Sequence, residues 1–345
     1  QSLIATKTNR IVQAANGKPV SDFGARRAHN VDAAVYGARA AYIGGAAGTA
    51  TVLAGKMFHI PISGTMAHSW VMTFDSEYDA FKAYAESYPD GTVLLVDTYD
   101  VLKSGVPNAI RTAREVLEPM GKKLIGIRLD SGDLAYLSKE ARKMLDEAGL
   151  SDCMIVASNS LDEYTISSLN RQGAKIDSYG VGERLITSSS TPVFGAVYKL
   201  VAIQKDGKFI PKIKISETAE KITNPGIKEV YRVYDENGKA VADYLAVKGE
   251  QIRDLEPVRY VDPVNYWKNR SFVGCRFKKL QVPVFEKGKR IYDLPDIEEI
   301  RQYVKDQLEN EIWEEEQRFE NAHTHYLDMS PAMFELKMSL LHEEN

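Results

Sequence analysis

Five short apolar runs, separated by helical patterns, constrain the first 200 residues more than any other feature: 58–62, 92–96, 123–129, 153–157 and 177–181. Between them lie stretches of helical periodicity at 76–87, 101–119, 133–148 and 161–172. A strand buried on both faces reads as a continuous apolar run, and a helix between two such runs makes a βα unit of a parallel sheet. The strand-to-strand period of about 30 residues suits such units. The pattern predicts an α/β domain over 1–204, opened by a helix in QSLIATKTNRIVQAA (1–15). Beyond position 199 the texture changes. Runs 198–204, 208–216, 228–235 and 241–247 read as strands, with turn residues at Asp206-Gly207 and Asn237-Gly238 between them. This predicts a β-rich region over 205–345, closed by one long charged helix from 296 to about 323.

With 345 residues and 44% hydrophobic content, the chain is long enough for two domains or one large α/β domain with an appendage. Lys+Arg 44 against Asp+Glu 48 leaves a net charge of −4. That balance draws in neither nucleic acid nor an anionic membrane, so anion binding needs a focused pocket. No apolar run reaches 18 residues, so no transmembrane helix is expected. Cys153 and Cys275 stand far apart, with no CxxC and no zinc spacing, which suits a reducing, cytoplasmic compartment. The chain begins at Gln1 in an already helical pattern with no signal peptide, and is expected to be a piece of a longer one.

In a βα barrel the chemistry collects where strands end. Here the runs lead into Ser63-Gly64-Thr65 and His68, Asp97-Thr98-Tyr99-Asp100, Arg128-Leu129-Asp130-Ser131-Gly132-Asp133, Ser158-Asn159-Ser160, and Gly182-Glu183-Arg184. Capping of the next helix accounts for Asp97, Asp100, Asp133 or Asn159 taken singly. Five polar ends in one frame point instead to a shared rim. Gly180-Val181-Gly182 alone is a turn signal. With Thr187 and Ser188-Ser189-Ser190 downstream it becomes a candidate phosphate loop. Asp22-Phe23-Gly24-Ala25-Arg26-Arg27 sets a flat ring beside two guanidiniums, for stacking and anion clamping, or forms a plain surface turn. His68 is a lone histidine after a strand end, open to packing or catalysis. His323-Thr324-His325 and Glu314-Glu315-Glu316 read as solvated helix surface.

These groups suit a phosphorylated sugar and a flat partner. No GxGxxG, GxxxxGK[ST] or GxSxG is present, which argues against dinucleotide, P-loop and serine-hydrolase chemistry. A phosphosugar aldolase would want a lysine at a strand end, and none of the five has one.

DFGARR (22–27), GTMAHSW (64–70), LLVDTYDVLKSGVPNAI (94–110), GIRLDSGDLAYLSKEARKMLDEAG (126–149), ASNSLDEYTI (157–166), SYGVGERLITSSSTPVFGAVYKLVAI (178–203) and NPGIKEVYRVYD (224–235) resemble the nicotinate phosphoribosyltransferase family. The resemblance implies an α/β fold with an incomplete, seven-stranded α/β barrel and a β-rich domain. It implies transfer of phosphoribosyl from phosphoribosyl pyrophosphate to nicotinate, giving nicotinate mononucleotide and pyrophosphate, in NAD salvage. ATP hydrolysis is coupled, Mg²⁺ assists, and the enzyme is a homodimer. His68 then matches the transiently phosphorylated histidine. Asp130 matches the ribose-holding aspartate, with Arg128 beside it. Gly180 and Gly182 match the 5′-phosphate loop, to which Ser188 is added. Phe23 matches the ring stacked on the pyridine, and Arg26 an arginine near the phosphates. Asp97 and Asp100 are candidates for ribose or metal contact, and Asn159 for substrate contact. Ala50 stands where related nicotinamide enzymes carry an aspartate, so it favours nicotinate. The family's further N-terminal segment is absent from this sequence, and Glu183 sits where a neutral residue is usual. Nicotinamide and quinolinate phosphoribosyltransferases are the nearest rivals, and an inactive fragment is the non-enzymatic one.

Overall fold

The computed structural model describes residues 1–218 and 221–343. Two compact units divide the chain, one formed by Gln1–Phe194 with Ile297–Gln302, the other by Gly195–Asp296 with Tyr303–Asn345.

In the first unit, helix α1 (Ser2–Ala14) precedes strand β1 (Val20–Asp22). Helix α2 (Val31–Ile43), strand β2 (Gly48–Thr49) and helices α3 (Val52–Phe58), α4 (His68–Met72) and α5 (Glu77–Ser87) follow. Strand β3 (Val93–Leu95), helix α6 (Val106–Thr112), β4 (Gly126–Leu129), α7 (Leu134–Glu147), β5 (Met154–Ser158), α8 (Glu163–Arg171), β6 (Ser178–Val181) and the short α9 (Glu183–Ile186) complete the alternation. The six strands form one parallel sheet in the order β2-β1-β6-β5-β4-β3. Leu94, Leu95, Ile127, Leu129, Ile155, Ala157, Tyr179 and Val181 are buried along it, as two-sided cover requires. The expected strand at 58–62 shrinks to one parallel bridge, Thr49 to Ile62. Pro61 cannot donate to a ladder, and α3 already runs through Phe58. Lys7 and Arg10 of α1 both meet buried Glu163 of α8, at 2.7 and 2.9 Å. Helix α10 (Ile297–Asp306) begins in this unit. There Arg301 donates to the carbonyls of Tyr42, Ala46 and Gly45 at the end of α2.

In the second unit, β7 (Ala202–Lys205) and β8 (Lys208–Pro211) pair alone. Strands β9 (Lys228–Tyr234), β10 (Ala240–Val247), β11 (Val258–Val261), β12 (Asn269–Phe272) and β13 (Arg276–Lys279) build the second sheet, in which β16 (Leu327–Met329) is the sixth strand. Strands β14 (Phe285–Glu286) and β15 (Lys289–Arg290) form a separate hairpin. The six-stranded order is β12-β11-β16-β10-β9-β13, antiparallel except for β10 with β16. Val233, Tyr244 and Ala246 form its buried face, packed by Tyr260, Phe272 and Phe277. The expected continuous helix from 296 to 323 is broken. Helix α10 ends at Asp306, a wider-wound turn follows at Gln307–Glu311, Ile312 is extended, and helix α11 is only Glu314–Gln317. Glu314, Glu315 and Glu316 thus fall in the first turn of a new helix, where negative charge is favourable. Helix α12 (Pro331–Glu343) ends the described chain. Among the described residues no helix is long and apolar enough to cross a membrane.

Candidate active site

The C-terminal ends of the parallel strands and the loops after them enclose a cavity of about 410 Å³. Phe23, Arg26, Ala50, His68, Arg128, Asp130, Asn159, Gly180 and Gly182 all line it. Asp97 lies directly behind His68. Asp100 and Ser188 are not among its lining residues.

Arg128 is the hub. It leaves β4 with its Nε donating to Ser158 Oγ at 2.8 Å, its Nη1 to Thr65 Oγ1 at 2.8 Å and its Nη2 to Asp130 Oδ1 at 3.0 Å. Ser158 also donates to Asp130. The end of β5, the loop at Thr65 and the residue just past β4 thus fix one guanidinium. It has five N–H donors, so two remain for a ligand. Its centre lies 5.3 Å from the ring of Phe23. That ring lies against Gly180, where an added Cβ would stand 2.3 Å from Cε2. Glycine at 180 is therefore explained by room for the ring, a reason separate from phosphate binding.

A second network runs behind. His68 Nε2 and Asp97 Oδ1 are 3.1 Å apart. The Asp97 side chain is 1% exposed, that of His68 41%. Asp97 Oδ2 accepts from the Asp130 N–H at 3.2 Å and the Ser131 hydroxyl at 2.5 Å. One buried carboxylate therefore couples the imidazole to the Asp130 loop. Such a histidine is oriented by its acid and lines the cavity with Nδ1 outside that pairing.

Four aspartates and asparagines compete between capping and site roles, and geometry separates them. Asp100 accepts from the N–H groups of Leu102 and Lys103, and Asp133 from that of Tyr136, so both cap helical turns. Those amide bonds, the Lys103 one first, hold the exposed Asp100 carboxyl below the usual range. Asp97 and Asn159 cap nothing. Asn159 (φ 87°) and Ser160 (φ 53°) turn sharply over the cavity, while Asp162 caps α8 instead. Ser188 is buried, with its hydroxyl between the carbonyls of Leu3 and Thr191 at 3.1 and 3.2 Å, its single proton shared between them; it closes a loop.

The remaining guanidiniums differ in freedom. Arg26 has no hydrogen-bond or ion-pair partner among the described residues and faces the cavity. Arg27 meets Glu183 at 3.3 Å, both exposed. Glu183 therefore pairs with Arg27 and not with its neighbour Arg184, which bonds to Asp162. Burial pushes the Asp162 carboxyl up, but the Thr165 amide and hydroxyl and Arg184 together hold it below the ordinary value. In the sequence, Thr65 and Ser158 stand only as polar residues after apolar runs. Their part in aiming Arg128 carries no sequence signal of its own, and neither does the Arg184–Asp162 pair.

A rim of this construction, with anion donors, an orienting acid behind a histidine and a flat stacking face at the ends of parallel strands, defines an α/β group-transfer enzyme. A family model described as the nicotinate phosphoribosyltransferase family matches residues 19–239, and one described as the nicotinate phosphoribosyltransferase C-terminal domain matches 227–337. The nicotinate phosphoribosyltransferase of Bacillus subtilis (strain 168) is 49% identical over 344 residues, covering 99% of this chain and 69% of the relative. That of Dictyostelium discoideum is 36% identical over 388 residues, covering 97% and 65%. The crystal structure of human nicotinic acid phosphoribosyltransferase shares the fold, with a TM-score of 0.82 at 24% identity, over 98% of this chain and 74% of that one. The chain thus spans about two thirds of the length of these curated relatives. It belongs to the nicotinate phosphoribosyltransferase family, enzymes of NAD biosynthesis.

Proposed function

We propose that this cavity moves the phosphoribosyl group of phosphoribosyl pyrophosphate onto the ring nitrogen of nicotinate, with ATP hydrolysis coupled through His68. The observation that carries the reading is the Arg128 hub. It places a guanidinium with two spare donors beside the Phe23 ring and the Asp130 carboxylate. The pyridine ring stacks on Phe23 while its carboxylate meets Arg128. Ala50 on the cavity wall leaves that carboxylate unopposed. Two carboxylates 4 Å apart would repel by about 4 kcal/mol at an effective dielectric of 20.

The nitrogen lone pair forms the bond to ribose C1, and the C1–oxygen electron pair departs with pyrophosphate. Positive charge grows on the sugar as the bond breaks. Asp130, held by Arg128 and Ser158, grips the ribose hydroxyls and faces that charge. Arg26, with Arg27 beside it, takes the leaving diphosphate, and the 180–182 loop the 5′-phosphate. Much of the acceleration is positioning. Among the described residues no three His, Cys, Asp or Glu side chains converge on a metal site. That suits Mg²⁺, which is commonly held by one or two carboxylates and the substrate's phosphates. Asp130 and Glu183 are the carboxylates on the cavity lining that could hold it, and the ion would neutralise diphosphate charge. Asp97 on Nε2 leaves Nδ1 of His68 as the nitrogen to accept the γ-phosphoryl of ATP.

Six parallel strands with Ile62 bridged to β2 support a seven-stranded, incomplete barrel as the finer architecture. A cytoplasmic homodimer completes the reading. The test is nicotinate mononucleotide formation by the full-length protein, with and without ATP, in the parent and in His68→Ala. We expect ATP to stimulate the parent and not the variant. Equal stimulation of both refutes the role of His68, and absence of product from the parent refutes the reaction.

A further inference from the structure

One carboxylate beneath the cavity has no part in those steps. Asp22, the last residue of β1, is wholly buried. Its Oδ1 accepts the Gly24 N–H at 2.8 Å and its Oδ2 the Thr49 hydroxyl at 2.8 Å. Among the described residues no cation pairs with it, and burial pushes its carboxyl above the usual range against those two bonds. Burying such a group is costly, so its surroundings must use it. Thr49 Oγ1 in turn accepts the Thr51 N–H at 3.0 Å, and the Ala50 N–H donates to the Asp22 carbonyl at 2.8 Å. The side chain therefore ties the Phe23–Gly24 turn after β1 to the Thr49–Ala50–Thr51 stretch after β2. One carries the stacking ring and the other the small residue of the cavity wall.

We propose that Asp22 is a positioning residue which, through Thr49, fixes the spacing of Phe23 and Ala50 and thereby sets affinity for a pyridine carboxylate and its preference over the amide. The proposal rests on the nicotinate reading above and adds a determinant outside the cavity lining. Neither Asp22 nor Thr49 is among the residues lining the cavity. Thr49→Val deletes the tie and leaves Asp22 Oδ2 and the Thr51 N–H without their partner. Thr49→Ser keeps the hydroxyl. Asp22→Asn keeps an acceptor for Gly24 but turns an amide donor toward Thr49.

The experiment measures kcat, both KM values and the nicotinate-to-nicotinamide ratio of kcat/KM in the full-length enzyme, alongside thermal unfolding. Thr49→Val should raise KM for nicotinate about tenfold, the scale of one hydrogen bond lost behind the cavity wall and felt through the displaced Phe23 and Ala50. The acid-to-amide ratio should fall with it, while kcat and the KM for phosphoribosyl pyrophosphate stay within about twofold. Thr49→Ser should restore the parent values, and Asp22→Asn should shift in the same direction as Thr49→Val. If Thr49→Val does not fold, Asp22→Asn carries the test on the same readouts. Variants that melt earlier yet keep the parent's nicotinate KM and ratio overturn the proposal alone. A parent that makes no nicotinate mononucleotide overturns the reaction and this proposal together.

Discussion

In the first unit every strand of the sheet points the same way, so what leaves β1, β4, β5 and β6 meets on one rim. In the second unit all six strands of the sheet take part in antiparallel pairs, only β10 with β16 running parallel, and strand ends alternate between two edges. The same residue types then do different work. Arg232 meets Asp243 at 2.9 Å and Lys279 meets Glu229 at 2.5 Å, each pair across neighbouring strands. These charges are spent on cross-strand pairing. Tyr260 stacks on Phe272 with centroids 4.4 Å apart, ring against ring in a core, where Phe23 offers its ring to a cavity. Parallel order, rather than composition, is what concentrates chemistry on one unit.

The largest expected effect breaks binding from folding within that rim. Asp130→Asn should lower kcat/KM by about 10²–10³-fold, the scale of one lost transition-state contact, with little change in melting. Asp133→Ala, three residues on, should cost about 1 kcal/mol of stability as a lost cap and leave activity per folded molecule intact. Steady-state kinetics with a denaturant titration decide it. A collapse of stability in Asp130→Asn with intact activity would make it a structural residue.

Next comes Gly180→Ala. A methyl group 2.3 Å from the Phe23 ring must push it aside. Overpacking of this kind costs about 1–3 kcal/mol, and the nicotinate KM should rise well before that for phosphoribosyl pyrophosphate. Equal changes in both would mean that the glycine serves the phosphate and not the ring.

The smallest effect belongs to the second unit. Burial, and then the charge of Asp262, raise the Asp328 carboxyl to about 6. Between the unfolded value near 4 and that raised value the folded state keeps a proton which the unfolded chain has lost. Stability contributed by Asp328 is therefore full below about pH 4, falls as pH rises to about 6, and stays lost above. Asp328→Asn should gain about 1–2 kcal/mol at pH 7.5 and match the parent at pH 4 in urea unfolding, with catalysis unchanged. A gain that is the same at both pH values would remove titration as its cause.

The parallel sheet was legible because its strands are buried on both faces and so read as unbroken apolar runs, as in 92–96 and 153–157. The run 58–62 is less uniformly apolar, with His59 and Pro61 in it; Pro61 cannot donate to a ladder, and a single bridge is left. The rim was legible as a set of polar strand ends. What separates Asp97 from Asp100 was not, since capping and site roles draw on the same residue types at the same places. Only the chain's path puts Asp97 behind His68 and turns Asp100 onto its own helix. Ser188 misled for the same reason: a hydroxyl that closes a loop looks in sequence like one that holds a phosphate. Asp22 carries no such signal beside Phe23, because nothing in the order of residues says that its carboxylate reaches Thr49.

The Arg301 contact has a bearing on the timing of synthesis. Carbonyls at the end of α2 receive their donor from a residue 255 to 259 positions later. At roughly 5–20 residues per second on the ribosome, that donor arrives roughly 10–50 s after the helix it serves. Phe23, Arg26 and Arg27 precede the helix, and the other rim residues, from Ala50 to Arg184, are translated in that interval. A nascent chain therefore carries every cavity-lining residue before the carbonyls of Gly45 and Ala46 receive the guanidinium, and until then water serves those two groups while Tyr42 keeps the Gly45 N–H.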